Sequence, residues 1–411
     1  MTRSVFARPQ WQLNTLSLAF ACVAGATLAP TTSYAVDTIH WSGFFTGAFS
    51  QSDNEYPYGR FHSISDKGSY LTDSRLGLQG SAAVNDQISL TTQLVAKNNN
   101  DNFDVNANWL YAQIKAAPTV QIKLGRMQQP MYLFSSQLEA GYSMPWVRAP
   151  QEVYEQQFFN DYTGIEATYK TYVAAHDVSI SLLHGVQDNE ISAGILGKVF
   201  ASEQPLTEYM SSDDYRGLAL QIDGDFYRFK LAGVKQTLDI AVDPVALNTF
   251  QLDIARCMAT PPPTSAKCST LYSTAALLGG GGLSGIKGDF WSAGLDMNLN
   301  DLRFVSEYTV RSVGDFDRQG YYLSLIYRLN EMAPYVTYAA HDTTGQDTID
   351  PQTQESMALG MRYDWLPNTA LKFEVLHVNP QEGTRGLYHV GYTTEEMESM
   401  NAATITLDLI F

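Results

Sequence analysis

Beyond its first 35 residues, this 411-residue sequence lacks the roughly 18 to 20 consecutive apolar residues of a membrane-spanning helix, so a helical anchor in the body of the chain is excluded. Basic side chains are scarce: 26 Lys and Arg stand against 43 Asp and Glu, a net charge of −17. That balance excludes nucleic acid as a natural partner. Cysteine is nearly absent, with 3 in all. Enzyme signatures are missing too. His40, His62, His176, His184, His341, His377 and His389 are scattered without metal-ligand spacing, and no G-x-S-x-G occurs. The GGGG run at 279–282 lacks the helix and the Lys-Ser of a phosphate cradle. Neither catalysis, a cofactor nor a metal is expected.

The first 35 residues have the three parts of a secretory signal peptide: Arg3 and Arg8, an apolar stretch from Leu16 to Leu28 that contains Cys22, and Ser33-Tyr34-Ala35 before the expected cut. Removing them takes away two Arg and no acid, which leaves 24 basic side chains against 43 acidic ones and a net charge of −19 over residues 36–411. Cys257 and Cys268 then lie in an exported, oxidising setting and are predicted to form a disulfide. A bridge across so short a loop stabilises by about 3 kcal/mol in the chain-entropy account.

What the sequence does have is alternation. Aromatics make up 12%, with 24 Tyr. Apolar and polar residues alternate in Ile39–Ser50, Tyr70–Ala82, Ile88–Lys97, Val105–Ala116, Thr119–Met127, Tyr162–Val173, Val178–Gln187 and Tyr215–Asp223. They do so again in Phe226–Thr237, Asp289–Leu299, Leu302–Ser312, Gly320–Leu329, Ala333–Asp342, Ser356–Leu366, Thr369–Val378 and Asn401–Phe411. These sixteen segments have the length of strands that face lipid on one side and water on the other. Their connections alternate between short and long. Short ones such as Gly224-Asp225, Asn300-Asp301 and Pro367-Asn368 carry turn residues, whereas 51–69, 128–161, 188–214 and 238–288 are long. The pattern predicts an all-β fold: a transmembrane antiparallel up-and-down β-barrel with short periplasmic turns, long extracellular loops and both termini on the periplasmic side.

The faces separate cleanly. In LRFVSEYTVRS, Leu302, Phe304, Tyr308 and Val310 oppose Arg303, Glu307, Thr309 and Arg311. Trp41, Tyr70, Trp109, Tyr162, Tyr215, Trp291, Tyr321 and Trp365 stand near strand ends, as expected for interfacial girdles. The chain stops on Phe411 with Ile405, Leu407 and Leu409 in one phase, which predicts a last strand that closes the barrel beside the first.

The terminal Phe411 pattern, DSRLGLQG at 73–80 and KLGRMQQP at 123–130 resemble the Gram-negative porins, trimeric sixteen-stranded outer-membrane channels. The resemblance implies a homotrimer, recognition of Phe411 by the barrel assembly machinery, and an inward-folded constriction at residues 128–161. That loop's Leu133, Phe134, Leu138, Tyr142, Met144 and Trp146 are too apolar to stand in water and require a wall. The same loop offers Glu139, Glu152, Glu155, Asp161 and Arg148. Opposite them the lumen phase presents Arg75, Lys97, Arg228, Lys230, Arg311, Arg328, Arg362 and Lys372, interrupted by Asp73, Glu166, Glu307, Asp364 and Glu374. Opposed walls of charge would impose a transverse field on passing solutes.

Arg75 and Arg126 are similar to constriction arginines of the family. Arg126 conflicts with strict alternation, since Val120, Ile122 and Leu124 face lipid. A bulge at Gly125 or a place at the strand's outer end would each resolve the conflict. The acidic loop residues, among them Asp53, Asp213, Asp214 and Glu398, either are solvated or hold divalent cations at the lipopolysaccharide surface. The expected function is passive diffusion of small hydrophilic solutes. Its rivals are a channel selective for an anion or organic acid, and a plugged barrel serving as adhesin, phage receptor or hydrolase. Ion preference stays open, because loop charges are screened beyond about 8 Å.

Overall fold

The computed structural model describes residues 39–59, 64–99, 102–157, 159–191, 208–242, 282–314, 316–345, 352–381, 383–388 and 397–411. The leader, Cys257 and Cys268 lie outside these residues.

Alternating sequence becomes strand sixteen times: β1 (His40–Ser52), β2 (Arg75–Ala83), β3 (Ile88–Asn99), β4 (Asn102–Ala117), β5 (Val120–Gln128), β6 (Asp161–Val173), β7 (His176–Ile191) and β8 (Glu208–Asp223). Then follow β9 (Tyr227–Val242), β10 (Gly282–Leu299), β11 (Leu302–Val313), β12 (Phe316–Tyr327), β13 (Met332–Gly345), β14 (Gln354–Leu366), β15 (Thr369–Pro380) and β16 (Met400–Ile410). Each pairs antiparallel with its chain neighbours, and β1 pairs with β16, so the sheet is a closed barrel. Closure leaves no unpaired edge, which is the only way a sheet survives in lipid. Phe411 completes the seam: it exchanges backbone hydrogen bonds with Gly43 at 2.7 and 3.0 Å, and its ring lies on Gly43, where a side chain would collide.

Turn chemistry explains the end with the short connections. Asn300, Asn330 and Asn368 adopt positive φ of 57°, 53° and 62°, a conformation Asn tolerates. The β6–β7 turn instead places two alanines, Ala174 and Ala175, at φ 48° and 68°. At the other end β7–β10 run further than their alternation predicts, so the loops shorten to 192–207 and 243–281. There the pattern reverses: Met210, Leu238 and Ile240 turn inward and are buried, while Ser211, Thr237 and Asp239 take the outward phase, so a search for an apolar outer face does not find these ends.

The outward face is greasy: Leu78, Leu94, Leu110, Leu182, Leu218, Leu323, Leu359 and Phe373 are all exposed. Trp41, Trp291, Tyr321 and Trp365 join it, as girdle aromatics should. Three of the expected girdle residues do not. Tyr162 and Tyr215 are buried in the lumen, stacked with centroids 5.1 Å apart. Trp109 sits in mid-strand opposite the inward Gln93. Tyr70 precedes β2 but stands on the outer face, exposed against Phe49. Tyr162 shares the phase of Glu166, so alternation places it inside.

Candidate functional site

Residues 129–160, between β5 and β6, fold into the barrel. The loop contains two 3-10 turns, Ser135–Gln137 and Gly141–Ser143, and one helical turn, α1 (Gln151–Tyr154). Its apolar residues find the wall they require. Met131, Tyr132, Leu133, Phe134, Met144, Trp146, Val153 and Tyr154 form one core with inward Leu183, Val234, Phe290, Val305, Tyr322 and Tyr335 of β7–β13. Trp146 meets Phe134 and Tyr322 edge-on at 5.5 Å each, and its indole N–H donates to Ser324 at 2.8 Å.

The wall's cations secure the loop through its backbone. Lys230 donates to Tyr132 O at 2.8 Å, Arg75 to Leu138 O at 2.9 Å, and Arg311 to Gln156 O at 2.5 Å. Lys372 donates to Gly141 O at 2.6 Å and Trp146 O at 2.9 Å, and lies 3.1 Å from Asp408. Arg362 donates to Met144 O at 3.1 Å and to Tyr142 O, and covers the Tyr142 ring. Carbonyls of an irregular segment buried among side chains need such donors. These basic residues therefore satisfy the loop and do not stand as a free charged wall.

Arg148 extends from the loop in the opposite sense. Its Nη2 donates to Asp73 at 2.7 Å, Thr404 at 2.7 Å and Ser50 at 3.3 Å, with Glu374 3.6 Å from Nη1. Burial would lower its pKa, but Asp73 and Glu374 more than reverse this and hold the guanidinium charged. Glu307 accepts from Leu133 N–H at 3.0 Å, from Tyr322 at 2.8 Å and from Tyr154. Burial, with Glu307 beside it, raises Tyr154 well above the ordinary tyrosine value, so Tyr154 remains a donor.

The expected site residues thus separate into groups. Glu152 is buried, accepting from Gln354 at 2.6 Å beneath Tyr58, and Glu155 is buried against Gln151. With Arg148, they lie under the loop rather than across open water from basic residues. Arg228 lies at the turn end of β9, paired with Asp223 at 2.6 Å, and the exposed Arg328 follows β12 there. Arg126 keeps the outward phase of β5, two residues from its outer end, opposite Leu110 and Thr163 and 3.0 Å from Asp161. Its pairing is regular through Gly125, so the strand end and not a bulge resolves the conflict. Gly125 is still needed: at φ 134°, a Cβ there would strike the Leu110 carbonyl at 2.2 Å.

What remains open to solvent lies along β2–β6. Lys97 and Glu139 meet at 2.5 Å with Arg75 3.5 Å from the same carboxylate, and Lys123 meets Glu166 at 2.9 Å beside Tyr111. Lys123 is a lumen residue that sequence reasoning passed over, although it shares the phase of Gln121 opposite Ile122.

A closed even-stranded barrel, greasy outside and crossed by an inward loop beside a polar passage, defines an outer-membrane channel. A family model for Gram-negative porins matches residues 15–381, and the chain belongs to that family, whose members are diffusion channels of the outer membrane. Solved structures share the fold. Vibrio cholerae OmpT gives a TM-score of 0.53 at 9% identity, covering 91% of this chain and 98% of that one. The anion-selective porin of Comamonas acidovorans gives 0.52 at 14%, covering 91% and 99%. The outer-membrane channel DcaP of Acinetobacter baumannii gives 0.53 at 9%, covering 93% and 99%. No curated protein matches by sequence.

Proposed function

We propose that small hydrophilic solutes cross through the passage between residues 129–141 and the inner wall of β2–β6, and that this passage prefers anions. The observation that carries this is which partner of each ion pair faces the water. Lys97 and Lys123 keep 36% and 28% of their side chains exposed, whereas Glu139 and Glu166 keep 12% and 7%. Arg75, at 11%, is no more exposed than Glu139 and braces that carboxylate and the Leu138 carbonyl. A solute meets ammonium groups first, and in a narrow low-dielectric passage the nearest charge dominates. The acidic loops lie further away and are screened.

The constriction is formed by Arg75, Lys97, Glu139 and Lys123, and Lys230, Arg311, Arg362 and Lys372 hold the loop in place. The protein works as a homotrimer, as the family does, and Phe411 at the seam serves recognition by the assembly machinery. No residue is assigned a catalytic role. Reversal potentials across a bilayer in a KCl gradient test the reading: chloride should be preferred, and Lys97→Glu with Lys123→Glu should reverse the sign. A cation-preferring wild type, or a sign unchanged in the double variant, would sink it.

A further inference from the structure

We propose that two glycines on the wall behind the inward loop, Gly294 of β10 and Gly320 of β12, fix the width of the passage on the loop's far side and with it the largest solute that crosses. The proposal rests on the passage running along β2–β6. Both residues are in the inward phase: Gly294 pairs with Lys230 and Glu307, and Gly320 with Thr309 and His341. Both face the loop directly. A Cβ on Gly320 would stand 2.2 Å from the Glu152 carbonyl oxygen and 2.4 Å from Gln156 Nε2, and one on Gly294 would stand 2.5 Å from Leu133 Cγ. A side chain at either position would occupy space that the loop already fills.

The two contacts differ in how readily they give. At Gly320 the obstacle is backbone, and it is held in place: Glu152 O accepts from Gln156 Nε2 at 2.9 Å and from His341 Nδ1, on the strand beside Gly320, at 3.1 Å. At Gly294 the obstacle is the end of one leucine, with Glu307 Cγ next nearest at 3.0 Å. Alanine at Gly320 must therefore move the loop, whereas alanine at Gly294 meets a softer neighbour.

Displacement at these points is passed on. Leu133 and Tyr154 belong to one close-packed core, and Tyr154 stacks on Tyr132 with centroids 4.6 Å apart, so strain at α1 reaches residues 129–141. Bringing Glu152 O into ordinary contact with a new methyl group takes a step of about 1 Å. In a ring of sixteen strands, β10 and β12 lie across from β2 and β4. That step therefore carries the loop toward Arg75, Lys97 and Lys123 and narrows the gap between them.

The test combines single-channel conductance in KCl with swelling of proteoliposomes in a series of sugars of rising size. Gly320→Ala and Gly294→Ala should each lower the conductance and slow the largest sugars several-fold, while the smallest pass nearly as before. The reversal potential should keep the wild-type sign, because Lys97 and Lys123 are untouched. Leu133→Ala in the Gly294→Ala background removes the obstructing Cγ and Cδ1 atoms and should restore the conductance, a recovery that general damage to the fold would not allow. Gly294→Ala with its rescue decides the matter if Gly320→Ala does not fold. Unchanged conductance and size limit in the single variants, or no recovery in the double one, overturns the role of the glycines. A rise in conductance in the single variants overturns it differently: water would then run between the loop and β7–β13, and the location of the passage, not the contact, would have failed.

Discussion

Arg148 shows how little a residue's type says about its task. A charged side chain in a porin loop suggests contact with solutes, yet this one is 7% exposed and joins the loop to Asp73, Ser50, Thr404 and Glu374. Removing it strands two buried carboxylates, so Arg148→Ala should cost about 3 to 5 kcal/mol, read from urea unfolding in lipid vesicles. Lys should recover only part of this, because one ammonium cannot replace the fork. A variant as stable as wild type would mean that the buried cluster is not ionic.

Asp53, beyond β1, makes a prediction of opposite exposure. Its carboxylate accepts from the Asn401 side chain and from the Asn401 backbone N–H, both at 2.8 Å, and these bonds hold its pKa below the ordinary carboxylate value. A depressed folded pKa means the contact contributes above the unfolded pKa, near 4, and is lost as pH falls through the folded one. NMR should therefore show the Asn401 amide losing its hydrogen-bonded shift below about pH 4, and Asp53→Asn should remove that titration.

At the scale of elements, the strands were legible because a period of two writes both faces of a lipid-exposed wall into the sequence. All sixteen were expected, and the last one to within a residue at each end. What misled was the use of residue type without phase. Tyr162 reads as a girdle aromatic only until Glu166 fixes the inward phase of β6, and Tyr215 of β8 is buried beside it. The outer strand ends were illegible, since β8 and β9 continue there with the apolar phase turned inward, as at Met210, Leu238 and Ile240. The β6–β7 turn carries a local conflict, with two alanines in the left-handed region. Ala175→Gly should remove that strain and stabilise the barrel by about 1 kcal/mol in the same unfolding assay, whereas Ala175→Val should destabilise it.

At the scale of the molecule, the inward loop divides the lumen unequally. Its apolar core covers the wall of β7–β13, while the passage keeps to the polar wall of β2–β6. Alternation names the residues that face inward, but neither their depth nor which of them a loop will cover. For that reason Lys230, Arg311 and Lys372 read in advance like Lys97, although the structure gives them to the loop backbone. The side on which the loop packs follows from long-range complementarity between Met131–Trp146 and Leu183, Val234, Phe290 and Tyr322, which no local pattern carries.

The most direct test of a one-sided passage is single-channel current during modification by a charged thiol reagent, in a background with Cys257 and Cys268 replaced by Ser. Thr91→Cys and Gln113→Cys, on the open wall, should lose a large part of their current. Ser356→Cys and Ala358→Cys, inward-facing but buried beneath the loop, should conduct unchanged. Block at the second pair with none at the first would place the water on the other side of the loop and contradict the account.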